Sequence, residues 1–148
     1  MSESRCPLCH PSEAETVLWH DDFCRIAWVD DKDYPGYCRV ILNSHTAEMT
    51  DLAAIQRQRL MTTVFAVEQV VRETIKPDKI NLASLGNYVP HLHWHVIPRW
   101  REDATFPDAI WAPPRRNGID FDFDTAGLEQ DYRNRLQQLL APTSQRQP

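Results

Sequence analysis

Apolar and polar positions along the chain change period twice. Residues 16–29, "TVLWHDDFCRIAWV", form two short apolar runs around Asp21-Asp22, a pattern that predicts a hairpin. The run 36–43, "GYCRVILN", is introduced by Tyr34-Pro35-Gly36 and is rich in strand-favouring residues, so the first third reads as an antiparallel meander. From Thr50 the period becomes helical. Leu60, Val64, Val67 and Val71 recur at spacings of four, three and four, while Gln56, Arg57, Arg59, Glu68 and Arg72 take the other positions. This predicts one long amphipathic helix over 51–75, with Thr50 as its N-cap and Pro77 closing it. Two further strands are expected at 79–84, "KINLAS", and 91–99, "HLHWHVIPR", joined by the loop "LGNYVP". After a Pro-rich irregular stretch, helical spacing resumes over 128–140 through Leu128, Tyr132, Leu136 and Leu139, and a disordered tail is expected at 141–148. The elements add up to an α+β fold: about five antiparallel strands packed on the long helix, with an additional C-terminal helix, in a single domain over 1–140.

Composition narrows the possibilities further. A chain of 148 residues can bury a core without covalent staples. Its net charge of -5 argues against a protein that coats nucleic acid, although a small phosphate-bearing ligand needs only a few local donors. No apolar run approaches the roughly 18–20 residues of a bilayer crossing, so no membrane partner is expected. The start "MSESRCPLCH" lacks the apolar core of a secretory signal, which makes the cytoplasm the expected location and reduced thiols the expected state of Cys6, Cys9, Cys24 and Cys38. Cys24 and Cys38 fall inside apolar strands, where small buried thiols are ordinary. There is no internal repeat.

The stretch "HLHWHVIPRW" carries three of the six histidines, at 91, 93 and 95. Side chains alternate faces along a strand, so the three imidazoles share one face while Leu92, Trp94 and Val96 take the other. At about 3.3 Å per residue, neighbouring histidines stand roughly 6.6 Å apart along the strand, close enough to act on one substrate. A metal site and phosphoryl chemistry on a neutral imidazole both fit this spacing, and spacing alone does not choose between them.

"HLHWHVIPR" resembles the histidine triad signature of the HIT superfamily of nucleotide hydrolases and transferases. "NLASLGNYVP" is similar to the family's Asn-to-Gly loop before the triad, and "YPGYCRVILNSH" to its proline-glycine turn and following strand. The resemblance covers about residues 6–100. It implies a HIT-like fold with His91, His93 and His95 as the catalytic row. His93 would be the nucleophile that attacks the α-phosphorus and forms a nucleotidyl-imidazole, and His95 would hydrogen-bond phosphate oxygens or assist the leaving group. Asn87 and the backbone at Gly86 would hold phosphate oxygens, and Asn81 would touch the substrate. Asp30 would bind the ribose, with Asp31 its competitor because the following loop is one residue shorter than usual. Arg99, just past the triad, is placed for a phosphate, although a solvated arginine at a strand end is equally common. Many members carry a fourth histidine where this chain has Tyr37, a residue that can donate a hydrogen bond to substrate but cannot act as a base near neutral pH.

The implied activity is hydrolysis of a nucleoside phosphoramidate or a dinucleoside polyphosphate. The alternatives are a nucleotidyl transferase and a non-catalytic nucleotide- or zinc-binding regulatory protein. The expected partner is a purine mononucleotide-type small molecule, and the resemblance also implies a homodimer joined edge to edge. No cofactor is expected for catalysis.

"CPLC" is a lone pair of cysteines and by itself a weak motif. Two further ligands would have to be histidines, and resemblance to zinc-bearing relatives implies His45 and His91, with His10 as an alternative. With Cys6 and Cys9 they would make a closed structural zinc site; the competing reading is free thiols and a surface His45. Trp94, Trp100 and Trp111 could stack on a purine, though aromatic residues near strands are more often core. "DFDFD" at 120–124 reads as a solvated acidic edge.

Overall fold

The structure is a computed structural model that describes residues 1–142, so the expected tail lies from residue 143 onward outside the described residues. Five strands form one antiparallel sheet: β1 (Val17–His20), β2 (Cys24–Trp28), β3 (Cys38–Leu42), β4 (Lys79–Ala83) and β5 (His93–Arg99), in the order β1-β2-β3-β5-β4. The long helix α1 (Ala54–Ile75) carries the chain from β3 across the sheet to its far edge, and β5 then inserts between β3 and β4. That crossover puts the histidine strand in the interior of the sheet. A second helix, α2 (Thr125–Leu139), packs beside α1 and β1.

Local chemistry explains the elements. The β1–β2 hairpin closes where Asp21 Oδ1 accepts hydrogen bonds from Phe23 N and Cys24 N, both at 2.8 Å. Strand alternation sends Cys24, Ile26, Trp28, Val40, Leu42 and Val96 toward the helices, where they meet Leu60, Val64, Val67 and Val71 of α1 and Leu128, Tyr132 and Leu136 of α2. Each such aliphatic side chain stabilises the fold by about 1.5–3 kcal/mol on burial. Cys24 and Cys38 are buried free thiols, as strand position implied.

Helix boundaries differ from the sequence reading in one respect. Thr50 does not cap α1; it lies in a short 3-10 turn, Met49–Asp51, whose Asp51 Oδ2 accepts from Glu48 N. The helix starts instead after Ala53, whose N–H donates to Gln56 Oε1 at 2.9 Å. It ends at Lys76, with φ of 47°, directly before Pro77. The "DFDFD" edge supplies the missing start of α2: Asp124 Oδ1 accepts from Gly127 N at 3.2 Å. Gly36, at φ 88°, lets α2 approach, because a Cβ there would stand 2.5 Å from Tyr132 Oη and 2.7 Å from Ile75 Cδ1.

Candidate active site

The face of the sheet away from the helices carries His93 and His95. On it, His93 is the cross-strand partner of Ile41, and His95 lies between Arg39 of β3 and Ala83 of β4. The imidazoles of His93 and His95 meet edge to face at 4.9 Å between centroids, and each residue is 8% exposed. They line a cavity of about 430 Å³ together with Leu85, Gly86, Asn87, Tyr88, Val89 and Trp111. Gly86, at φ 73°, bends the β4–β5 loop over the two rings.

A hydrogen bond to a carbonyl determines which nitrogen of His93 is available. His93 Nδ1 lies 2.6 Å from the His91 carbonyl, an acceptor only, so Nδ1 must carry the proton and Nε2 keeps its lone pair. Burial lowers the His93 pKa and outweighs that hydrogen bond, and the positive charge of Arg39 lowers it further. His95 Nδ1 is hydrogen-bonded to the Tyr37 hydroxyl. Burial, followed by the nearby His93 and Arg39, pushes the His95 pKa down to about 4, while burial pushes the Tyr37 hydroxyl up to about 12. At neutral pH both groups are therefore uncharged. With the phenol as donor, His95 Nδ1 accepts and the ring presents an Nε2–H to the site.

The remaining sequence candidates are distributed unevenly. Gly86 and Asn87 line the cavity with His93 and His95. Asn81 faces an adjoining cleft of about 540 Å³ that shares Trp111 as a wall, and its Oδ1 accepts from Arg99 Nη1 at 2.7 Å. Arg99 is not presented to the cavity. It is 1% exposed, its Nε and Nη2 donate to the two Asp103 oxygens at 2.8 and 3.0 Å, and Nη2 also donates to Thr105 Oγ1 at 3.1 Å. A phosphate could reach it only by breaking a buried ion pair, so its place is structural. Asp30 and Asp31 open onto a different small cleft, with Trp28, Phe121 and Phe123. The tight chain path after β2 explains this: Asp31 N donates to Val29 O and Tyr34 N to Asp31 O, which tucks Val29, Tyr34 and Tyr37 against Ile97 and leaves Asp30 outside.

Trp111 is 53% exposed, yet its ring stands 5.1 Å from that of His95, a placement that strand periodicity could not give for a residue in the Pro-rich segment. Arg39 escaped attention in the sequence altogether. The available signal was its position two residues after Tyr37 on a strand, which puts both on one face.

His91 leaves the row. It precedes β5, its residue is fully buried, and its Nδ1 lies 3.4 Å from Cys6 Sγ, 3.3 Å from Cys9 Sγ and 3.3 Å from His45 Nδ1. Cys9 Sγ also lies 3.3 Å from His45 Nδ1. The four donor atoms all fall within 4.8 Å of one another, and this group can hold a metal ion. His10, the alternative ligand, is not among the four. Tetrahedral zinc, with bonds of about 2.3 Å to sulfur and about 2.0–2.1 Å to nitrogen, needs nitrogen–nitrogen and sulfur–nitrogen edges of about 3.3–3.6 Å, so the spacing fits. The tautomers fit as well: His91 Nε2–H donates to Leu42 O at 2.6 Å and His45 Nε2–H to Met1 O at 3.1 Å, which turns both Nδ1 lone pairs inward.

Comparison with known proteins agrees with this geometry. The HIT domain family model matches residues 11–102. An AP-4-A phosphorylase of Mycobacterium tuberculosis is 30% identical over 78 residues, 49% of this chain and 40% of that protein. A bis(5'-nucleosyl)-tetraphosphatase (asymmetrical) of Schizosaccharomyces pombe is 28% identical over 88 residues, 56% of this chain and 48% of that protein. The chain thus spans less than half the length of these two relatives. Among solved structures, a histidine triad protein from Marinobacter aquaeolei superposes with a TM-score of 0.70 at 27% identity, covering 84% of this chain and 90% of that one. A Zn-bound histidine triad family protein from Mycobacterium smegmatis shares the fold, with a TM-score of 0.64 at 20% identity over 93% of this chain and 97% of that one.

Proposed function

The chain belongs to the HIT domain family, and from that premise we propose that it is a nucleotide hydrolase that cleaves a nucleoside phosphoramidate or a dinucleoside polyphosphate at the α-phosphorus. The observation that carries this reading is the bond from His93 Nδ1 to the His91 carbonyl, which leaves a desolvated, unprotonated Nε2 in a cavity large enough for a nucleotide phosphate. In the first step the Nε2 lone pair forms a bond to the α-phosphorus, and the bond to the leaving group breaks with its electron pair going to the departing oxygen or, in a phosphoramidate, to the departing nitrogen, which takes a proton from water. His95 Nε2–H donates a hydrogen bond to a phosphoryl or leaving oxygen, and Asn87 with the Gly86 backbone receives the other oxygens. Water then attacks the phosphorus, Nε2 recovers its electron pair, and the water's proton is released to solvent.

Support for a nucleotide substrate comes from the tetraphosphatase and phosphorylase names of the two relatives. The phosphorylase name favours a second reading, in which inorganic phosphate replaces water as acceptor. Diadenosine tetraphosphate with and without phosphate separates the two, since hydrolysis releases AMP and phosphorolysis ADP. Incubation with labelled nucleotide and an alkaline denaturing quench, which preserves a phosphorus–nitrogen bond, is expected to trap one nucleotide on His93, and His93→Ala to abolish both adduct and turnover. A wild-type protein that binds nucleotide yet forms no adduct and no product would replace the enzyme reading with that of a regulatory binding protein.

The same proposal includes a structural zinc at Cys6, Cys9, His45 and His91, supported by the ligand spacing and by the zinc-bound mycobacterial neighbour. It includes a homodimer joined edge to edge, which would give an exposed edge strand a partner. It also includes a cytoplasmic location; no described helix is long and apolar enough to cross a membrane.

A further inference from the structure

Cross-strand partners share a face, so the registers Arg25–Ile41–His93 and Ala27–Arg39–His95, together with the alternation from His95 to Arg99, put three arginines on the triad face of the sheet. Two of them are neutralised. Arg25 Nε donates to Glu15 Oε2 at 2.6 Å and its Nη2 to Leu8 O at 3.1 Å, and Arg99 is held by Asp103. Arg39 differs. Its Nε is buried with no hydrogen-bond partner, and among the described residues its guanidinium forms no ion pair. Its neighbour on β2 is the small Ala27, and its neighbour on β5 is His95. An uncompensated, partly desolvated cation is costly in the free protein, and the cost is removed when a ligand brings an anion to it.

The chemistry of the adjoining ring says which anion. His95 is kept neutral by burial and its Nδ1 is bonded to Tyr37, so at neutral pH it carries no imidazolium proton for a departing amine. An amine leaving group needs a proton as its bond to phosphorus breaks, whereas a polyphosphate departs as a stable anion and needs only positive charge. Arg39 provides that charge one strand away from His95.

We infer that Arg39 binds phosphate oxygens of a polyphosphate leaving group, and so makes the site selective for dinucleoside polyphosphates over phosphoramidates. This rests on the hydrolase reading above and names its substrate class. Electrostatics agree, since the Arg39 charge is felt at His93, His95 and Tyr37 alike.

The test compares wild type, Arg39→Met and Arg39→Lys for kcat/KM on diadenosine tetraphosphate and on an adenosine phosphoramidate, and for binding of inorganic tripolyphosphate by calorimetry. In Arg39→Met the ratio of kcat/KM for the tetraphosphate to that for the phosphoramidate is expected to fall tenfold or more, and tripolyphosphate affinity to fall tenfold or more. Arg39→Lys, which keeps the charge and guards against misreading a folding defect, should recover part of both. A selectivity ratio and a tripolyphosphate affinity within twofold of wild type in a folded Arg39→Met would overturn the inference while leaving His93-dependent turnover intact. If wild type turns over neither substrate, the hydrolase reading fails, and the loss or retention of tripolyphosphate binding in Arg39→Met still decides the role of Arg39.

Discussion

Replacing Tyr37 by Phe removes one oxygen from beside the His95 ring and leaves everything else in place. Tyr37 is buried against Tyr34 and Ile97, and its hydroxyl is the hydrogen-bond partner of His95 Nδ1. It does not line the cavity, so its effect on chemistry passes through His95 and it is a positioning residue. A buried hydrogen bond contributes about 0.5–1.5 kcal/mol net, and a buried acceptor left unpaired costs about 1–3 kcal/mol, so the variant should lose about 1–3 kcal/mol of stability in urea unfolding, with an unchanged m-value. Freed from Tyr37, the His95 ring can carry its proton on Nδ1 and present a lone pair to the substrate instead of an N–H. A bias of about 1 kcal/mol is about fivefold in population, so kcat should fall about threefold to tenfold. The decisive readout is the ring nitrogen spectrum of His95, which in wild type should show Nε2 protonated and Nδ1 bare. Wild-type His95 protonated on Nδ1, or a Tyr37→Phe protein with unaltered stability and an unaltered His95 spectrum, would refute the reasoning.

Other outcomes follow from the same geometry. His95 faces His93 on its own strand and Arg39 and Tyr37 from the β3 side, while Ala83 of β4 brings no charge. With its pKa pushed from 6.5 down to about 4, the unfolded chain binds the proton more readily, so stability holds above about pH 6.5 and declines toward pH 4, by roughly 3 kcal/mol for this one group. Urea titrations across that window should show the decline, and His95→Gln should make it shallower, the remainder coming from the buried His93 and His91; an equal slope in both proteins would count against the assignment. Gly36→Ala should cost about 2–4 kcal/mol through its positive φ and the clash with Tyr132 and Ile75, read as a lower urea midpoint, and a neutral result would mean that α2 does not pack as described. Purified protein should carry one zinc per chain by elemental analysis, and Cys9→Ser should lose it and expose residues 1–10 to limited proteolysis; metal-free wild type under non-chelating conditions would sink the zinc reading.

Strand and helix period made the five strands and both helices legible from residue order, because alternation and the 3.6-residue repeat are local properties of the chain. The helix starts were less legible. Thr50 and Asp124 are both good capping residues, and only the competing 3-10 turn around Thr50 decides that the first does not cap. At the site, alternation alone placed His93 and His95 side by side, and the backbone bond that leaves His93 Nε2 unprotonated lies within three residues.

What residue order could not decide was where the side chains beyond those two would meet. His91 belongs to the same written row, yet it lies before the strand begins, so its ring is free to turn toward cysteines 82 and 85 positions away. Arg99 reads as a free cation until the segment after β5 folds back and brings Asp103 beneath it. Asp30 reads as a ribose ligand until the tight chain path after β2 turns it outward, and Arg39 acquires its meaning only when β3 pairs with β5 beside His95. Local period follows from the geometry of one chain segment, whereas register, burial and charge compensation depend on which distant segments pack together.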